Sequence, residues 1–259
     1  VLNQNAISKP IPPGSGEGDV PANILILLDS SASMKTPLIA GDGISNPWDI
    51  VEDSDGNLII GEGSLGFVKI LTASKTVDRT FADNNRNFRG SATDTCTLDG
   101  TNNSIVRALN DLGLATNVLG VSGDVIYGAD SDSTGGKIVG INTSGECIEV
   151  ITHDELGGIR PHAMEVRTIG GQDHLFVSGK EGALFYTKNL TTGDDFNCTV
   201  SDDSTYLKAV IERSTDLTVD NSGGYIYYNF KGWIYAYELT ATGNNYCPEQ
   251  DYIKRYKPG

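Results

Sequence analysis

The sequence predicts an all-β fold made of repeated hairpin units. Three observations point to it. Glycine makes up 31 of the 259 residues, well above the ~7% average, and the glycines sit beside short runs rich in Ile, Val, Tyr and Phe. Long helical periodicity is almost absent. Four segments repeat one pattern of turn, strand, glycine-bearing turn and second strand.

The four segments run from Gly56 to Thr72, Gly123 to Asn142, Asp173 to Thr187 and Gly224 to Tyr237. Their first strands, taken at Leu58, Val125, Leu175 and Tyr225, lie 67, 50 and 50 residues apart. A further strand precedes most of them, over Pro47 to Glu52, Pro161 to Arg167 and Ser214 to Val219. A period near 50 with three or four strands per unit is the signature of a β-propeller blade. The alternative is a β-sandwich whose hairpins are alike by accident. The propeller-like region spans 46–248. The longer first interval places an insertion at 80–114, because loops tolerate added length at low entropic cost. Within it, Ile105, Ala108, Leu109 and Leu112 recur at helical spacing behind Ser104 as N-cap, which predicts one short helix. Residues 1–22, with Lys9-Pro-Ile-Pro-Pro-Gly, read as a linker, and 249–259 as a tail.

Charge narrows the partners. Nineteen Lys and Arg against 34 Asp and Glu leave a net charge of −15. Without a basic cluster, that balance excludes a nucleic-acid binder, which must neutralise phosphates. The longest apolar run, Ile24 to Leu28, is far short of the ~20 residues a membrane-spanning helix needs.

The four cysteines keep step with the repeat. Cys96, Cys147, Cys198 and Cys247 are 51, 51 and 49 residues apart. An even number in a glycine-rich acidic β protein favours disulfides and an oxidising compartment; buried free thiols are the alternative. No Cys-x-x-Cys pair suggests zinc. Three connectivities are open, and Cys96–Cys147 with Cys198–Cys247 is preferred.

The sharpest motif precedes the repeats. Asn23-Ile-Leu-Ile-Leu-Leu-Asp29-Ser-Ser31-Ala-Ser33-Met34 is an apolar run ending in Asp-x-Ser-x-Ser. A run apolar on both faces suits a central parallel strand. Residues 23–36 thus resemble the first strand and metal loop of a von Willebrand factor A domain. The resemblance implies that Asp29, through water, and the Ser31 and Ser33 hydroxyls hold a divalent ion completed by a ligand carboxylate. An oxygen-only set fits Mg²⁺ or Mn²⁺. An ordinary strand and turn is the plain alternative. An A-domain start joined to a propeller and secreted-type cysteines resembles the PilY-type tip adhesins of type IV pili. The propeller would then be inserted in the A domain, with the chain returning to it at 249–259 and residues 36–46 and 248–259 neighbours in space.

Other matches are weaker. Glu52-Asp53-Ser-Asp55-Gly-Asn57 resembles half of a calcium loop through Asp53 and Asp55, but Ser64 stands where the bidentate Glu belongs; a tight turn with solvated acids is the alternative, and Asp130-Ser-Asp132 is a similar case. Gly61-Glu-Gly63-Ser-Leu-Gly66 leads into a strand rather than a helix, so it is a blade hairpin and not a dinucleotide loop. His153, His162 and His174 form no ligand pair, although His162 could face a propeller channel. Asn102, Asn142, Asn189 and Asn197 head glycosylation sequons.

These readings give an expected function. The chain is a secreted or cell-surface adhesin, not an enzyme. It binds a surface, glycan or protein ligand through its propeller and an A-domain metal site, and it associates with pilus or filament subunits. The alternative is a metal-dependent propeller hydrolase of the lactonase type.

Overall fold

The computed structural model describes residues 47–62, 66–78, 81, 109–131, 136–179, 184–199, 216–230, 233–249 and 254–256. The Asp29, Ser31 and Ser33 motif, Cys96 and most of the 80–114 segment lie outside the described residues.

Each repeat folds into its own antiparallel sheet, with strands hydrogen-bonded in chain order. Blade 1 contains β1 (Pro47–Glu52), β2 (Leu58–Glu62), β3 (Gly66–Leu71) and β4 (Thr76–Val77). Blade 2 contains β5 (Leu109–Ala115), β6 (Val125–Asp130), β7 (Lys137–Asn142) and β8 (Cys147–Ile151). Blade 3 contains β9 (Pro161–Ile169), β10 (Gln172–Gly179), β11 (Leu184–Asn189) and β12 (Asp195–Thr199). Blade 4 contains β13 (Asp216–Val219), β14 (Tyr225–Phe230), β15 (Trp233–Thr242) and β16 (Asn245–Pro248). A last strand, β17 (Lys254–Tyr256), pairs with β15 beyond the end of β16, so part of the tail belongs to blade 4.

The first strands neighbour one another in order, with β5 between β1 and β9, and β9 between β5 and β13. The sheets stack face to face around them, which is a β-propeller arrangement. Blades 1 and 2 meet through Ile59, Phe67, Leu112, Ile126 and Val139. Blades 2 and 3 meet through Val125, Tyr127, Leu175, Val177 and Tyr186. Blades 3 and 4 meet through Phe176, Phe185, Ile226, Tyr228 and Tyr237. Burying each such side chain contributes roughly 1.5–3 kcal/mol.

The helix expected over Ser104 to Leu112 is corrected at its end, while 104–108 lie outside the described residues. Leu109 to Leu112 belong to β5, the first strand of blade 2. The register shifts between Leu109 and Asp111, the mark of an irregularity such as a bulge. An extra residue in a strand lets apolar side chains three apart reach the same core. Leu109 and Leu112 do so, both joining the cluster between blades 1 and 2, and their spacing therefore imitates a helix.

One glycine is dictated by close approach. A Cβ at Gly128 would lie 2.5 Å from Leu109 Cδ2 and 2.6 Å from Phe67 Cζ, side chains locked in the seam between blades 1 and 2. Gly128→Ala is expected to cost about 1–3 kcal/mol by overpacking. The check is a lower denaturant midpoint with an unchanged slope.

Candidate functional site

The four first strands line one open cavity of about 340 Å³. Each contributes an acid to its lining: Asp49 from β1, Asp111 from β5, Glu165 from β9 and Asp216 from β13. Consecutive residues of each strand line the cavity, so it runs along the strand edges; the pleat turns the side chains alternately toward the two neighbouring blades.

Three of these carboxylates reach the following blade. Asp49 Oδ2 accepts the Leu112 amide at 2.9 Å, and Asp111 Oδ2 accepts the Met164 amide at 2.7 Å. Glu165 accepts a hydrogen bond from Thr218 in β13 and pairs with Arg167 at 2.7 Å. The acids thus bind adjacent first strands to one another. Crowding changes their titration. Burial, and then the Asp49 carboxylate, raise the Asp111 carboxyl well above its ordinary value. Burial, opposed by the Arg167 guanidinium, pushes Glu165 up to about 7. With its folded value raised, Glu165 contributes stability that is full below the ordinary 4.5 and is lost as the pH rises through about 7. Glu165→Gln is expected to flatten this part of a melting-temperature profile between pH 5 and 8. A slope unchanged by the substitution would count against the assignment.

A second tier of acids organises the turns at one end of the blades. Asp124 accepts the Ser54 amide and hydroxyl at 2.7 and 2.8 Å, tying blade 1 to blade 2. Asp173 accepts the Thr116 and Asn117 amides at 2.7 and 2.9 Å and the Thr168 hydroxyl at 2.6 Å, tying blade 2 to blade 3. Between blades 3 and 4, Asp194 accepts from the Asn244 amide group at its carboxylate and from that of Asn245 at its backbone carbonyl.

Asp53, one of the two acids of the calcium-like loop, is engaged by its own turn and by a lysine. Lys69 occupies the Asp53 carboxylate at 2.9 Å, and the Asp55 and Asn57 amides donate to its other oxygen. Gly56 closes this turn at a φ of 77°, a conformation that glycine adopts without strain. Asp55 is exposed beside it. Asp53 itself is buried rather than solvated, so this is a tight turn closed by an ion pair.

The histidines stay apart. His153 Nδ1 lies 3.2 Å from the Ile159 carbonyl, and His174 is edge-on to Tyr246 at 5.1 Å. His162 is not among the residues lining the cavity. Among the described residues, no three His, Cys, Asp or Glu side chains converge in a way that could hold a metal ion. Cys198 and Cys247 are disulfide-bonded to each other, as preferred from the sequence, and Cys147 is also disulfide-bonded. No helix among the described residues is long and apolar enough to cross a membrane.

The channel acids escaped the sequence reading, although a signal was present. Each first strand carries an acid that lines the cavity, and these four acids are 62, 54 and 51 residues apart.

No family model matches the chain, and no curated protein matches it. Solved structures resemble it in shape. The Dos1 propeller is 8% identical, with a TM-score of 0.49 over 83% of this chain and 49% of that one. The β-propeller domain of Cps50 (Swd1) from Myceliophteria thermophila is 9% identical, with a TM-score of 0.46 over 74% and 52%. A functionally unknown protein from Desulfotomaculum acetoxidans DSM 771 is 13% identical, with a TM-score of 0.49 over 84% and 58%. The chain spans about half the length of these structures.

Proposed function

We propose that this chain is the binding propeller of a secreted or cell-surface protein of the adhesin type. The channel acids carry the reading. The oxygens of Asp49 and Asp111 that a metal or substrate would use accept backbone amides of the next blade, so the centre serves as a structural hub and binding falls to the outer surfaces. A disulfide joining two blades suits an oxidising compartment, and a net charge of −15 disfavours nucleic acid. In this reading Asp29, Ser31 and Ser33 form the A-domain ion site for Mg²⁺ or Mn²⁺, and pilus or filament subunits are the structural partners.

The test is a glycan and extracellular-protein array probed with the labelled chain. Saturable binding that is abolished by EDTA and by Asp29→Ala is expected. Saturable binding indifferent to both keeps the adhesin reading and removes the ion site.

A second reading, a lactonase-type hydrolase, is favoured by Glu165, whose value of about 7 suits a general acid or base. Lactone turnover lost in Glu165→Gln, with no binding on the array, would replace the first reading by the second.

A further inference from the structure

Blade 4 is held differently from blades 2 and 3. Blades 2 and 3 each pack a buried apolar face against a neighbour on either side. Blade 4 packs one face on blade 3, while its other face leaves Tyr225, Ile234 and Tyr256 at 39, 37 and 45% exposure. In an array of repeats, the stability of a unit is its own plus that of its interfaces, so the seam with blade 3 bears on how readily blade 4 opens.

The interface that blade 4 does have is flawed. Among the described residues, Ser178 Oγ, Thr187 Oγ1, His174 Nδ1 and Tyr228 OH have no hydrogen-bond partner, and none of these residues is more than 1% exposed. The strand register gathers them on one seam. His174, Phe176 and Ser178 alternate along one face of β10, and Thr187 lies opposite Phe176 on β11. Tyr228 packs edge-on against Phe185 at 6.2 Å, the residue opposite Ser178. A buried polar group without a partner loses its hydration and gains nothing in return. Across this same seam Cys198 in β12 is bonded to Cys247 in β16, with the Cα atoms 5.8 Å apart.

We infer that the Cys198–Cys247 bridge is a redox latch. It keeps blade 4 seated on blade 3, and its reduction lets blade 4 open as a unit while blades 1 to 3 stay folded. A dithiol is the reductant. Its thiolate attacks Sγ of Cys247, which is partly exposed, whereas Cys198 is 3% exposed. The S–S bond breaks and Cys198 leaves as a thiolate. The second thiol of the reductant then displaces Cys247. Two electrons and two protons pass to the cysteines, and the dithiol ends as a disulfide.

Hydrogen exchange read by mass spectrometry tests the latch on the full chain. In Cys198→Ala/Cys247→Ala, the amides of β13 to β16 are expected to exchange at least about tenfold faster, while β6, β7 and β10 keep wild-type protection. Adding Thr187→Val and Tyr228→Phe removes two stranded hydroxyls and should slow blade 4 exchange again. A second form, Cys198→Val/Cys247→Ala, refills the seam in case the alanines alone unfold the chain. Dithiothreitol on the wild type should reproduce the blade 4 pattern, with Cys198 and Cys247 open to alkylation. Unchanged protection of β13 to β16 with the bridge absent or reduced overturns the latch. Loss of protection by all four blades together, in both bridge-free forms, overturns it equally.

Discussion

Lys69→Met is expected to destabilise the protein by about 3–5 kcal/mol, the usual effect of breaking one side of a buried ion pair. The Lys69 ammonium and Asp53 carboxylate meet at 2.9 Å with side-chain exposures of 6 and 0%. The same ammonium donates to the Thr143 carbonyl at 3.1 Å in blade 2 and lies 5.9 Å from the centre of the Phe81 ring. Methionine would fill much of the space but leave the carboxylate buried and unpaired, so chemical denaturation should show a lower midpoint. Adding Asp53→Asn should recover most of the loss, because the amide oxygen can still accept from Asp55 and Asn57. A double variant no better than Lys69→Met would show that the turn, and not the charge, was lost. Acid gives an independent readout. Burial raises the Asp53 carboxyl, but Lys69 and Asn57 outweigh burial and hold it below its ordinary 3.8. A depressed folded value means a contribution present above about pH 4 and lost as the pH falls through the folded value. In Lys69→Met this acid-sensitive part of the profile should disappear.

Asp173→Ala is expected to cost roughly 3 kcal/mol or more, since hydrogen bonds to a charged group contribute about 1.5–3 kcal/mol each. Asp173 is 1% exposed, and its carboxylate receives the Thr116 and Asn117 amides and the Thr168 hydroxyl. Alanine would strand all three donors at the seam between blades 2 and 3. Asp173→Asn should cost less, because one oxygen remains to accept. Hydrogen exchange would locate the damage. Faster exchange at 116–121 and in β9 and β10 is expected, and loss confined to blade 1 would contradict the assigned role.

Much of the blade plan was legible in the chain. The strands over Pro47–Glu52, Pro161–Ile169 and Asp216–Val219 form where alternating apolar runs placed them. The strands on either side of the Gly61 to Gly66 motif, β2 and β3, pair antiparallel, as its downstream strand required. The Cys198–Cys247 bridge follows the cysteine spacing. These features are local, and turn chemistry, two-residue alternation and a constant interval are enough to specify them.

The register between blades was not legible. Leu58, Val125, Leu175 and Tyr225 look equivalent in the sequence, yet they are not. Val125 and Leu175 join one cluster between blades 2 and 3, Leu58 packs on the opposite face of blade 1, and Tyr225 is exposed. Side chains alternate with a period of two, so a slip of one residue moves a whole strand to the other face. Only the packed sheets reveal where each blade begins its count. The irregularity that makes Leu109 and Leu112 imitate a helix is likewise visible only in the pairing with β6.

The sequence alone determined the composition of the blades: their number among the described residues, their hairpins, their acidity and the cysteines available to join them. The tertiary structure decided what each acid does. Asp49, Asp111, Glu165 and Asp216 are scattered over more than 160 residues, and only the stacking of four first strands brings them to one cavity. Asp53 lies in an acidic turn whose buried partner, Lys69, only the fold supplies. A carboxylate takes its role from the donor that reaches it. In this chain the donors lie on neighbouring strands or in the next blade, beyond the reach of any local pattern.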